Sequence, residues 1–169
     1  MPDAPLFPEM PTNARCWIYA ADSRLDAATQ EALHARLTSF LEGWTSHQRA
    51  VHGAVTIRDD RFLMVAAYVE GGDVSGCGID SLVHAVDEAA APLGISWARA
   101  LSVFYRDADG RVQAASRGDF RAQVQEGTVT ARTPVFDPSL TTLGAVRSRF
   151  EQPAGDSWHA RLFRIPTPA

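Results

Sequence analysis

Lysine is absent from this chain. All 16 basic residues are arginine, and asparagine occurs once, at Asn13. A GC-rich genome accounts for the bias, but its chemical consequence holds whatever the origin. A lysine Schiff base is excluded, and so is a phosphate loop ending in Gly-Lys-Ser/Thr. Cysteine is scarce: Cys16 and Cys77 lie far apart, form no C-x-x-C pair, and read as two free thiols. Apolar residues make up 46% of the chain, enough for a core, yet no run approaches the ~18 consecutive apolar residues of a membrane span. Net charge is −4 at pH 7 and the arginines are spread evenly, which weighs against a nucleic-acid partner. Residues 1–13 lack a charged start followed by an apolar stretch, so the expectation is no export signal and a cytoplasmic address. No cofactor and no membrane contact are implied.

Residues 1–13 carry Pro2, Pro5, Pro8 and Pro11 and predict an extended arm. The run Cys16-Trp17-Ile18-Tyr19-Ala20 reads as a buried strand. Leu33, Leu37, Phe40, Leu41 and Trp44 share one helical face, which places a helix over 26–43, with Ser23 and Asp26 before it both good caps. Strands are expected over 53–58 and 61–69, joined by a tight turn at Asp59-Asp60. After a glycine-rich stretch, Ile79, Val83, Val86, Ala90 and Leu93 predict a second inward helical face. Residues 100–106 read as a fourth strand. The order β-α-β-β-α-β predicts an α+β, ferredoxin-like antiparallel sheet over 14–108. Residues 109–169 predict a small C-terminal α/β appendage packed on that core. Asp109-Gly110 turns the chain there, and 111–115 pairs back with the fourth strand. Ser116 caps a short helix ending at Gly127. Residues 133–136 form an edge strand or extended piece, because Pro134 is tolerated there. Thr141 or Thr142 caps a last helix, and Ser157-Trp158-His159 lies in an irregular segment.

The pieces Trp17-Ile18-Tyr19, Trp44 with His47, Phe62-Leu63, Ser75-Gly76-Cys77-Gly78-Ile79-Asp80, Pro134-Val135-Phe136-Asp137 and Ser157-Trp158-His159-Ala160-Arg161 follow in order along most of the chain. In them the chain resembles a family of small uncharacterised bacterial proteins often labelled "ABC transporter ATPase". It departs from that family at Gly78, where Ser is commoner, and at Tyr68-Val69, where an acidic pair often stands. The resemblance implies no known activity, and the label conflicts with the missing lysine. A fainter likeness, over 120–137, is to GYF-type modules that bind proline-rich peptides.

Three groups of residues could carry chemistry. If Ser75 caps the second helix, Gly76, Cys77 and Gly78 fill its first turn, where free amide N–H groups favour an anion or a thiolate. Flanking glycines allow close approach of a ligand to the backbone. Cys77 is therefore the candidate nucleophile and His159 its candidate base, with Ser75, Gly76, Gly78 and Asp80 as candidate ligand-binding residues. The simpler reading makes Cys77 a small packed side chain. Trp158 and Arg161, beside His159, form a candidate recognition surface, against the simpler reading that Trp158 plugs the appendage. His34, His47, His52 and His84 read as structural, and His47 and His52 lack a second pair of ligands for a metal. The leading expectation is a binding protein without catalysis whose partner is a protein or a small anion. A thiol-dependent enzyme is the alternative, and a homodimer formed through the sheet or the arm is the third.

Overall fold

The computed structural model describes residues 4–167; residues 1–3 of the expected arm and 168–169 of the tail lie outside the described residues. The protein mixes helix and sheet, and the chain divides into two compact units. The first comprises Met1–Trp97 and Ser139–Arg147, the second Ala98–Pro138 and Ser148–Ala169. The boundary thus falls at Ala98 rather than at 109. A segment of the expected appendage, Ser139–Arg147, belongs to the first unit.

In the first unit β1 (Arg15–Ala20) is followed by α1 (Ala27–Glu42), a small hairpin of β2 (Thr45–Ser46) and β3 (Arg49–Ala50), β4 (His52–Arg58), β5 (Phe62–Tyr68) and α2 (Gly76–Ala90). Asp26 caps α1 by accepting from the Thr29 N–H at 2.7 Å, and that bond holds its carboxyl below the usual range. Asp59 and Asp60 both adopt positive φ, 54° and 56°, the geometry of a two-residue hairpin turn. Arg24 and Gln30 fix the turn by donating to the Asp60 carboxylate.

The sheet runs β1-β5-β4, antiparallel throughout. Central β5 is apolar over nearly its whole length because both of its faces are covered. Leu63, Val65 and Ala67 join the cluster built with Leu33 and Leu37 of α1 and Leu82 and Val86 of α2. On the opposite face Ala66 meets Ala14, Leu143, Leu6, Phe7 and Met10. On α2 the inward residue is Leu82, and Val83 is exposed. The 3-4-3 spacing of Ile79, Leu82, Val86 and Ala89 follows the core more closely than the spacing expected from the sequence.

The fourth strand of the expected ferredoxin-like sheet is not part of this one. The outer edge of β1 instead receives two single bridges, Arg15 to Thr142 and Ala21 to Trp97. Both edges of that strand are taken within the second unit, one by residues 112–115, as expected, and the other by residues 134–136. Asp107 accepts from the N–H groups of Asp109 and Arg111 and from the Gln113 side chain, and these bonds lower its pKa. They close a hairpin that commits β6 (Val103–Arg106) to β7 (Val112–Ala115).

The expected extended arm is also folded up. Over residues 6–14 the backbone makes turns, with Met10 N–H bonded to Phe7 O and Ala14 N–H to Pro11 O. Arg147 of α4 (Leu143–Arg149) holds the segment: its Nε donates to Leu6 O at 2.8 Å, and its Nη2 to Phe7 O at 2.6 Å and Met10 O at 3.1 Å. Charge-assisted bonds of this kind are strong. Arg147→Ala is therefore expected to loosen the segment by about 2 kcal/mol. Hydrogen exchange at Met10 and Ala14 should quicken accordingly, while amides of β5 stay protected.

The second unit builds a four-stranded sheet in the order β7-β6-β8-β9, where β8 is Pro134–Phe136 and β9 is Glu151–Pro153. Thus β8 is an interior strand rather than the expected edge. Pro134 is tolerated because β6 pairs only with Val135 and Phe136. Ser116 caps α3 (Arg117–Glu126) through the Asp119 N–H, and Gly127 ends it at φ 80°. The segment expected to be irregular after Pro153 contains a one-turn helix, α5 (Trp158–Leu162), capped by Ser157. Phe120, Val124, Val103, Val129, Val135, Ala154, Phe163 and Ile165 form the core of this unit. Among the described residues no helix is long and apolar enough to cross a membrane.

Candidate functional site

The two expected sites fall in different units. At the head of α2, Ser75 is the cap, and its hydroxyl accepts from the Gly78 N–H at 3.2 Å. Ser46, a residue that no local signal in the sequence marks, supports the cap. Its Oγ accepts from the Ser75 N–H and donates to Ser75 Oγ, both at 2.8 Å. Trp44 donates from Nε1 to Gly78 O at 3.0 Å. This first turn is anchored from three sides, and the Ser75 hydroxyl is taken up by the helix end.

Cys77 is exposed, Asp80 is exposed, and Gly76 faces open space. Gly78 does not serve ligand approach. It is buried, and a Cβ there would stand 3.0 Å from Val74 Cγ1 and 3.3 Å from Ser46 Oγ. Its missing side chain makes room for the cap. Gly78→Ala is expected to cost about 1–2 kcal/mol by crowding that pair. Gly76→Ala, with nothing in its way, is expected to gain about 0.5–1 kcal/mol. Paired urea melts of the two variants check the contrast. Cys16 is buried, and burial pushes its thiol up to about 12.

His159 lies in the core of the second unit, 1% exposed. Trp158 stacks on its ring at 3.7 Å between centroids, and Phe120 and Phe163 flank it at 6.0 and 6.3 Å. Nδ1 is 2.9 Å from Ser157 Oγ, which itself donates to Ala154 O at 2.9 Å. A hydroxyl has one proton to give, so Nδ1 carries the imidazole hydrogen and donates to Ser157. Burial lowers the His159 pKa to about 4 against the opposing pull of Asp137. A ring so enclosed serves packing, and the expected role of catalytic base gains no geometric support.

The exposed side chains of α5 sit differently. Trp158 is 44% and Leu162 40% exposed, two of the four large apolar residues with such exposure among those described, and Arg161 is exposed on the same short helix. Leu162 lines a basin of about 550 Å3 with Arg121, Val124, Gln125, Phe163, Arg164 and Pro166. A second basin of about 430 Å3 shares the walls Val124 and Pro166 and extends over Val129, Ala131 and Arg132. The sequence singled out Trp158 and Arg161 but not these basins, which form where the end of α3, residues 127–132 and the tail converge. Among the described residues no group of three or more His, Cys, Asp or Glu is placed to hold a metal ion. Comparison with protein-family models, curated proteins and solved structures gave no match to this chain.

Proposed function

We propose that this chain is a small binding protein that grips a partner polypeptide through the α5 face of its second unit. The observation that carries the reading is the exposed pair Trp158 and Leu162 on one short helix, with Leu162 lining the first of two adjoining, largely apolar basins. Concave apolar surface with a few polar groups is what recognition of a side chain requires, and a partly buried tryptophan is a typical anchor. Selection from a random peptide library on the immobilised protein is expected to enrich sequences that bind the Cys77→Ala variant and lose Leu162→Asp. Enrichment that survives Leu162→Asp and fails on Cys77→Ala would move the site to the head of α2.

The first unit we read as a ferredoxin-like half-sheet that has lost its fourth strand, a scaffold in this account. ATP hydrolysis, the label attached to the bacterial family that the sequence resembles, has no part in this reading, since the phosphate-cradling lysine is missing. One observation favours a second reading: Cys77 is exposed in the first turn of α2. Iodoacetamide is expected to label Cys77 in the folded protein and Cys16 only after unfolding. Protection of Cys77 in the native protein would remove the thiol reading.

A further inference from the structure

We infer that the partner segment is acidic: an extended peptide that places apolar side chains in the two basins and carboxylates against the arginines that rim them. The inference rests on the binding reading above and adds the chemistry of the partner. Three arginines line the basins, Arg121 and Arg164 in the first and Arg132 in the second, and among the described residues no carboxylate lines either. The contrast with the rest of the chain is sharp. The first unit carries thirteen acidic residues against seven arginines, the second seven against nine. Several arginines elsewhere are paired with carboxylates: Arg106 donates to both Glu151 carboxylate oxygens, at 2.8 and 3.0 Å, Arg24 reaches Asp60, and Arg15 reaches Asp73. The Arg121 guanidinium instead rests over the Phe163 ring, 5.8 Å from its centroid. That contact fixes its plane and leaves its N–H groups for an incoming carboxylate.

Arg164 supplies a second argument. Helix α5 ends in a left-handed turn closed by the Ile165 N–H, which donates to Ala160 O at 3.0 Å. The residue that must turn left-handed there is Arg164, at φ 51°. Glycine is the residue that adopts this conformation without strain. An arginine in that place costs stability, and its side chain lines the first basin. The strain and the unanswered charge point to the same ligand.

The test uses the full chain, fluorescence anisotropy, and three fluorescein-labelled decapeptides with two leucines four residues apart. The remaining positions are glutamate and serine in the first, glutamine and serine in the second, and lysine and serine in the third. The glutamate peptide is expected to bind about tenfold more tightly than its glutamine twin at low salt and to lose most of that margin as salt screens it. Arg164→Gly is expected to weaken the glutamate peptide about fivefold while raising or preserving the melting temperature, because glycine relieves the left-handed strain. This variant keeps the proposal falsifiable without a folding defect. Equal binding of the glutamate and glutamine peptides overturns the acidic partner and leaves the α5 binding reading standing. Failure of all three peptides overturns both readings. Preference for the lysine peptide, unchanged binding by Arg164→Gly, or displacement of the glutamate peptide by a single-stranded oligonucleotide at lower concentration each overturns the acidic-peptide assignment alone.

Discussion

Phe120→Ala is expected to cost about 4 kcal/mol, a large share of the stability of any domain this size. Phe120 sits on the inner face of α3 with no exposed surface. It makes an edge contact with Phe163 at 4.7 Å, a tilted contact with Tyr105 at 5.7 Å, and a third with His159 at 6.0 Å. One side chain therefore ties α3 to β6 and to the segment that carries α5. Removing it leaves a hole bordered by aromatic rings and by Val103, Val124 and Val135, and rings fixed by their neighbours collapse poorly into such a space. The loss should appear in urea unfolding as a lower midpoint. Arg36→Ala, on the exposed face of α1, should move the midpoint by no more than about 0.5 kcal/mol. A Phe120→Ala loss under about 2 kcal/mol would mean that this core is loosely packed. It would also mean that the α5 face is not held rigid enough to recognise anything. The same variant is expected to lose peptide binding through misplaced walls, so the binding measurements above use Arg164→Gly in its place.

What the sequence made legible follows the range of the interaction concerned. Asp26, Ser75 and Ser116 were all readable as caps, and all three accept from an N–H three residues on. That bond is decided within one turn. The Asp59-Asp60 turn was readable for the same reason. Partner choice between strands is not local. The hairpin from 103–106 to 112–115 was readable in Asp109-Gly110, but the other edge of that strand had a plausible place beside β1, and nothing within it shows that β8 takes that edge instead. The arm failed differently. Four prolines favour an extended backbone in isolation, but three carbonyls of the segment face Arg147, about 140 residues away in sequence. No pattern in residues 1–13 announces that partner.

The candidate site was half legible. The place of Cys77 in a first turn capped by Ser75 was readable because both features belong to one helix end, whereas its exposure was not, the simpler reading having packed it. Ser46 behind that cap was not, being brought in by the β2–β3 hairpin. Trp158 and Arg161 were singled out by type and proximity, and both are exposed. The basins, the first of which Leu162 lines, depend on where residues 127–132 and 164–167 run, and no periodicity encodes that. Arg164 was hidden for a further reason. Its left-handed backbone contradicts the residue preference for that position, so a preference-based reading passes over it.

His159 carries the second large effect, and its direction is set by burial. In the folded protein burial holds the ring neutral, with its pKa lowered from 6.5 to about 4. In the unfolded chain the ring titrates at its ordinary value. Between those two values the unfolded chain binds a proton that the folded protein refuses, so stability falls as the pH falls. The contribution is fully present above pH 6.5, and about 3 kcal/mol of it is gone by pH 4. The carboxylates with lowered pKa, Asp26, Asp60 and Asp107, stabilise above their ordinary values near 3.8 and lose that effect only at more acid pH, so most of the histidine window is free of them. Urea melts at pH 7 and pH 4.5 should therefore differ for the native chain. The difference should nearly vanish in His159→Asn and persist in His84→Asn, whose side chain is exposed on α2 beside Glu88. A native chain with equal stability at both values would show that water reaches the ring. The stacked Trp158 would then be a loose cover, and the α5 face would lose its fixed anchor. A steep fall that survives in His159→Asn would place the acid sensitivity in another group and leave the anchor intact.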